Sequence, residues 1–297
     1  MRCPICENEG RFNLIEIWKG YNLYHCSACD IIFSDPMKNP GSEWYGDCLY
    51  YDMNRNLCKL EWNHRLFLRE TKLGSRLLDI GCGTGVFLKA AQEKGYKVYG
   101  IDFDKKSIAV AQTEHNLPNV YAISLEDFVS SYEGPRFDVI TSFEVLEHQE
   151  DPNRFMAAVN SLLVAGGFIA LSLPNRRRFV DPIVKGGDYP PHHLTRWDSL
   201  SISYFLNKHG YVIKELKDNF SAEQIAIALS ALIKTGVTRR MLKKGSKKIE
   251  DIKLRERARQ LLIFKDRLFT FASKPLAFIS FLFGIQGIGI YCLARRK

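Results

Sequence analysis

The chain has 297 residues, of which 46% are hydrophobic, 12% aromatic and 25% charged. These values exclude collagen, coiled coil, wholesale disorder and a polytopic membrane protein, and the length allows one large domain with a small module. The net charge of +9 is concentrated between Lys234 and Lys274, where 14 Lys and Arg stand against four acids; a surplus this local points to an anionic partner more often than to a solvated face. Met1-Arg2-Cys3-Pro4 runs straight into a cysteine motif, so no signal peptide is expected and the chain reads as cytoplasmic.

In chain order, residues 1–40 carry Cys3-x-x-Cys6 and Cys26-x-x-Cys29. This spacing predicts a closed, structural four-cysteine zinc site on two knuckles, since forty residues cannot bury much core without metal. Residues 41–75 read as a linker and lead-in helix. Residues 76–220 alternate short apolar strands with helical segments, the pattern of an α/β parallel sheet. Strands are expected at Arg76–Ile80, Lys97–Asp102, Val120–Ile123, Val139–Ser142, Gly167–Leu173 and Tyr211–Phe220. Helices are expected at Val86–Lys94, Lys105–His115, Asn153–Leu163 and Ser199–His209, the last capped by Asp198. Residues 221–285 form a basic, amphipathic helical insertion, and 286–297 a final strand with a basic tail. Pro275–Ala294 lacks charge over 20 residues, enough to span a bilayer, but glycines interrupt it and the final strand claims its end.

Asp79-Ile80-Gly81-Cys82-Gly83-Thr84-Gly85 joins the first core strand to its helix. The glycines allow close backbone approach to a ligand and φ values that a side chain would forbid. The G-x-G-x-G spacing is neither the dinucleotide nor the P-loop pattern. Asp102, ending the next strand, is placed to accept both hydroxyls of a ribose.

These residues, with Phe137-Asp138-Val139-Ile140, Phe143-Glu144-Val145-Leu146-Glu147-His148 and Leu162-Leu163-Val164-Ala165-Gly166-Gly167, resemble the class I S-adenosylmethionine (SAM)-dependent methyltransferases. The UbiE/UbiG-like, glycan-linked branch is the nearest likeness. The resemblance implies a seven-stranded Rossmann-like sheet with an N-terminal zinc ribbon and a helical insertion before the last strand. It implies a SAM site of Asp79, Gly81, Cys82, Gly83, Gly85, Asp102, Phe103, Ser124, Leu125 and Phe143. Tyr24-His25-Cys26 and Ile31-Ile32-Phe33-Ser34-Asp35-Pro36 resemble the ribbon fused before many bacterial sugar and glycan methyltransferases.

Pro191-His192-His193-Leu194-Thr195-Arg196-Trp197 resembles the family's H-H-L segment, which nominates His193, with His192 beside it, as the base; packing beneath Trp197 is the competing role. Glu144, Glu147 and His148 resemble an E-x-x-E-H that takes a divalent cation in ubiquinone-pathway O-methyltransferases. Magnesium prefers oxygen donors, so loop ordering is favoured over Mg2+ here. Arg65 is a candidate for the SAM carboxylate. Arg176, Arg177 and Arg178 either meet an acceptor phosphate or are simply solvated.

The expectation is therefore methyl transfer to a sugar, glycan or lipid-linked acceptor, oxygen before carbon, with the insertion on an anionic membrane surface or in a homodimer contact or lid. An RNA methyltransferase is the second reading, disfavoured by a ribbon that is not basic. A non-catalytic SAM-binding scaffold is the third.

Overall fold

The computed structural model describes residues 1–41, 59–69, 74–178, 188–219 and 287–297. The expected insertion at 221–285, its basic segment and most of Pro275–Ala294 lie outside these residues, as do Cys48, Cys58 and Phe220. Two units divide the chain. The first comprises Met1–Pro174, Asp188–Lys217 and Ile290–Lys297; the second comprises Asn175–Gly187 and Asp218–Gly289.

In the first unit, strands β1 (Asn13–Trp18), β2 (Tyr21–Cys26) and β3 (Ile31–Asp35) form an antiparallel meander. Helix α1 (Trp62–Arg69) precedes the core. There β4 (Arg76–Ile80), α2 (Val86–Glu93), β5 (Lys97–Asp102), α3 (Lys105–Thr113) and β6 (Val120–Ala122) alternate. Helix α4 (Leu125–Ser131), β7 (Phe137–Phe143), a short 3-10 turn (Leu146–His148), α5 (Pro152–Leu162) and β8 (Leu163–Pro174) follow. The two-residue strand β9 (Thr195–Arg196), α6 (Ser199–Lys208), β10 (Tyr211–Asp218) and β11 (Gly289–Arg296) complete the fold.

Seven strands run in the order β10-β11-β8-β7-β4-β5-β6. The pairs β4–β5, β4–β7, β5–β6 and β7–β8 are parallel. Leu77, Leu78, Val139, Ile140, Ile169 and Leu171 are buried, the two-faced burial that a parallel sheet requires. Strand β11 closes the sheet antiparallel to β10: the Asn219 amide donates to the Gly289 carbonyl at one end and the Lys297 amide to the Gly210 carbonyl at the other. The α/β class and the final antiparallel strand expected from the sequence are both present.

Three differences have local causes. Strand β8 starts at Leu163 rather than Gly167, because Leu163 already pairs with Phe137 before the ladder resumes at Val139↔Phe168. Gly166, at φ +72, takes up the extra residues. Helix α4 was not expected; Ser124 caps it by accepting from the Asp127 amide. Its two opening acids favour the positive end of the helix. The first forty residues also do not complete their own sheet: β9 pairs with β3 through Ile32↔Arg196 and Phe33↔Thr195.

Asp198 begins α6 as expected. Its carboxylate accepts from the Leu200 and Ser201 amides, and the Ser201 hydroxyl accepts from the Asp198 amide. Asp198 is fully buried, so its loss leaves the buried Ser201 amide without its acceptor. Asp198→Ala is expected to cost about 1–2 kcal/mol, read as a lower denaturation midpoint at unchanged slope.

Candidate active site

The glycine loop leaves β4 and enters α2. Gly83 sits at φ +51 with open space where a Cβ would project, and its amide donates to Asp102 Oδ2 at 2.9 Å. Gly85 sits at φ +78, where a Cβ would strike Leu117 and Ala111. The two glycines thus serve different ends: Gly83 leaves a cradle beside a carboxylate, and Gly85 lets α2 begin against α3. Cys82 is buried, and Gly100 is the residue whose absent side chain accommodates its sulfur.

Asp102 ends β5. Its second oxygen accepts from the Asp104 amide at 2.8 Å, and burial raises its pKa against the pull of these backbone donors. Phe103, next along, is half exposed. Ser124 and Leu125 open α4, with the Leu125 side chain buried and the Ser124 hydroxyl engaged with Asp127. Gly81 sits at φ +81 against Val145.

Asp79 lies inside the sheet and accepts from the Thr141 hydroxyl at 2.7 Å. Burial pushes its carboxyl up to about 7, with the Asp102 charge adding to the rise. A folded-state pKa above the ordinary 3.8 means that the protonated form is favoured by folding. Its contribution is fully present below that ordinary value and declines as pH rises towards about 7. Asp79→Asn keeps an acceptor for Thr141 and cannot ionise. Relative to the parent, the variant is expected to gain stability as pH rises through this window and to differ little below it; urea midpoints across pH measure the difference.

Phe143, the last residue of β7, packs edge-on against Phe87 and beside His64, with ring centroids 5.2 Å away in both cases. Burial lowers the His64 pKa to about 4, so its ring is neutral at physiological pH. Glu144 follows at φ +58, a backbone conformation uncommon for a non-glycine residue. It is held by a chain in which Asn63 Nδ2 donates to Ser172 Oγ, and Ser172 Oγ donates to Glu144 Oε1. Asn63 and His64 bring α1 to this region. The sequence singles out Arg65 in that helix instead, and the signal it holds for the neighbours is only an Asn-His pair beside an aromatic face.

The turn after β7 and the segment before β9 meet at three imidazoles. His148, His192 and His193 each offer a ring nitrogen within 4.8 Å of the others. His148 Nδ1 lies 2.6 Å from the His192 carbonyl; a carbonyl only accepts, so the neutral ring carries its proton on Nδ1. Burial, then the neighbouring His193 and His192, hold the His148 pKa well below its ordinary value. His193 Nδ1 stands 3.4 Å from Asp188 Oδ1, and both side chains are buried. Glu147 is 1% exposed, and neither of its carboxylate oxygens accepts a hydrogen bond; burial, then the Glu144 charge, raises its pKa well above the ordinary carboxylate value. In the sequence, His148 stands with the carboxylates and His192 with His193 as separate motifs. Asp188 was missed, although it opens the same Pro-rich segment. Asn175 accepts from the Arg177 amide through its side chain and from the Arg178 amide through its carbonyl, so the expected arginine run begins as a turn in the second unit.

At the N-terminus the four cysteine sulfurs lie within 4.8 Å of one another. Cys3 and Cys29 are 3.6 Å apart, as are Cys6 and Cys26, and none is in a disulfide.

Residues 51–225 match the methyltransferase domain family. The chain belongs to that family. A methyltransferase domain accounts for the strand order, the glycine loop and Asp102 together, and SAM is the cofactor that goes with it. The Chromobacterium violaceum protein named ubiquinone biosynthesis O-methyltransferase is 37% identical over 107 residues, covering 35% of this chain and 46% of that one. The Bordetella avium protein of the same name is 33% identical over 148 residues, covering 48% and 59%. The methyltransferase thus spans about half the length of the curated relatives it matches. A solved SAM-dependent methyltransferase from Archaeoglobus fulgidus aligns over 83% of this chain and 94% of its own, at 18% identity and a TM-score of 0.49.

These relatives correct the expected acceptor and the expected partner. Their shared name points to a small molecule of a quinone pathway rather than a sugar, glycan or lipid-linked acceptor. The ribbon and the tail suggest a glycan, but the core carries the measured similarity. Among the described residues no helix is long and apolar enough to cross a membrane.

Proposed function

We propose that the protein transfers the methyl group of SAM to a hydroxyl oxygen of a small phenol- or quinol-type acceptor. The observation that carries this reading is the buried His193–Asp188 pair at 3.4 Å, on the segment that follows β8. An imidazole held by a carboxylate on one nitrogen is a general base at the other, and a phenolic hydroxyl is a proton donor matched to it. The names of the relatives support the acceptor class.

SAM supplies a methyl group activated by its sulfonium. Asp102, which already accepts from the Gly83 and Asp104 amides, would hold the ribose hydroxyls. Gly81, Gly83, Gly85 and the Cys82 backbone line the methionine half, and Asp79 sets the loop from beneath through Thr141. Phe103 flanks the adenine, with Ser124 and Leu125 at its edge. Phe143 and its aromatic neighbours exclude water near the reacting carbon. His193 takes the acceptor proton as the oxygen–carbon bond forms and the sulfur–carbon bond breaks, and His192 shields it. The cradle at Gly83 fits the cofactor because any side chain there would fill it.

The cysteines fit zinc: a separation of 3.6 Å between sulfurs is close to the edge of a tetrahedron with bonds of about 2.3 Å. We propose Cys3, Cys6, Cys26 and Cys29 as its ligands. The three histidines offer only nitrogen donors, which magnesium disfavours, and no step passes through a metal at Glu144, Glu147 and His148.

Pure protein with methyl-labelled SAM and a panel of catechols, hydroquinones, amines and thiols tests the reaction. Label on a phenolic oxygen is expected; label confined to nitrogen or sulfur overturns the reading. Asp102→Ala is expected to weaken SAM binding by about 100-fold, the worth of two hydrogen bonds to a charged acceptor, measured by calorimetry.

A further inference from the structure

The three imidazoles sit on two irregular segments, and residues of the N-terminal ribbon hold both. On the first segment, Asn39 Nδ2 donates to the His148 carbonyl at 3.1 Å, and the Asn39 amide donates to Glu150 at 2.7 Å. On the second, the Ser34 amide donates to the Leu194 carbonyl at 2.9 Å, beside the β3–β9 ladder. The Tyr189 hydroxyl donates to Glu16 Oε2 at 2.9 Å. The Tyr189 ring also packs on Trp18, with centroids 4.6 Å apart, and under the Arg196 guanidinium at 4.9 Å. The two segments are tied to each other where the Leu194 amide donates to the Glu147 carbonyl.

We infer that the ribbon is a clamp on the acceptor side, with Glu16, Trp18 and Asn39 as positioning residues for His193 and its neighbours. The inference rests on the proposed role of His193. A segment such as 188–194 lacks a ladder of its own, so its order must come from outside contacts. Some come from the turn after β7, and the others named above come from a module more than 140 residues away in sequence. Acting through other groups, the ribbon need not touch cofactor or acceptor to set the rate, because a base displaced by an ångström loses much of its effect. The ribbon's sheet is completed by the very segment it holds, so the two are ordered together.

The test compares the full-length protein with Glu16→Ala, Glu16→Gln and Tyr189→Phe. Amide exchange over 188–196, bound metal per chain, SAM affinity and kcat with a catechol acceptor are read for each. Faster exchange over 188–196 is expected in Glu16→Ala and Tyr189→Phe, with kcat lowered about 10-fold or more and metal content and SAM affinity unchanged. Glu16→Gln, which still accepts from Tyr189, is expected to restore both exchange and kcat. Unchanged exchange in Glu16→Ala and Tyr189→Phe overturns the clamp. So does loss of metal in step with loss of rate, since that marks a ribbon that has merely unfolded. If His193→Ala leaves kcat intact, the role of His193 fails instead, and the exchange result still decides the clamp.

Discussion

His193→Ala is expected to lower kcat by about 100- to 10,000-fold, the range that a positioned base contributes, while SAM binds as before. The separation follows from the structure. The glycine loop and Asp102 lie at the ends of β4 and β5, whereas His193 sits beyond β8 on the segment leading to β9. Asp188→Asn is a sharper companion. It keeps the shape of the pair at 3.4 Å and removes the charge that favours protonated imidazole at the moment of proton transfer. Its kcat should fall less than that of His193→Ala, and its pH–rate profile should change. Rapid-quench kinetics with labelled SAM, beside calorimetric SAM titration, measure both. An undiminished rate in His193→Ala would remove this residue from the chemistry.

Loss of the zinc proposed at Cys3, Cys6, Cys26 and Cys29 carries the second large effect. Metal bound by four thiolates supplies folding free energy of about 10–16 kcal/mol in isolated fingers, far more than the small core of residues 1–41 can replace. Ile5, Ile31 and Phe33 are buried with Cys3, Cys26 and Cys29 in a cluster that continues into the α/β core, and Leu23 packs apart with Ile32 and Tyr189. Cys26→Ser, or a strong chelator, is expected to release one zinc per chain and to unfold β1–β3, seen as lost amide protection there. The glycine loop makes no use of the ribbon, so residual SAM binding should survive. Metal analysis with hydrogen exchange checks both; an intact ribbon after complete metal removal would show that zinc is dispensable.

The parallel core was legible because its strands are runs such as Leu77–Ile80 and Val139–Ser142, buried on both faces and bounded by glycine or acid. The contact between Gly83 and Asp102 follows from one strand–loop–helix–strand unit, whose spacing the sequence carries locally. The histidine cluster was only half legible. His148 and His193 are 45 residues apart and meet only because β7 and β8 are neighbours in the sheet, a fact of tertiary order with no local pattern. Strand β9 escaped notice because two residues have no periodicity. The acceptor class was misread because the likeness of the first forty residues and the tail to glycan enzymes was weighed above that of Glu144, Glu147 and His148 to the ubiquinone-pathway enzymes.

In the second unit, the Gly287 amide donates to Asp218, and the Asn219 amide donates to Gly289. A Cβ on Gly287 would collide with the Asn219 carbonyl. The chain therefore leaves the sheet and rejoins it at a single stapled gate. The register of β10 against β11 is thereby pinned at the point where the chain returns, whatever lies between residues 219 and 287.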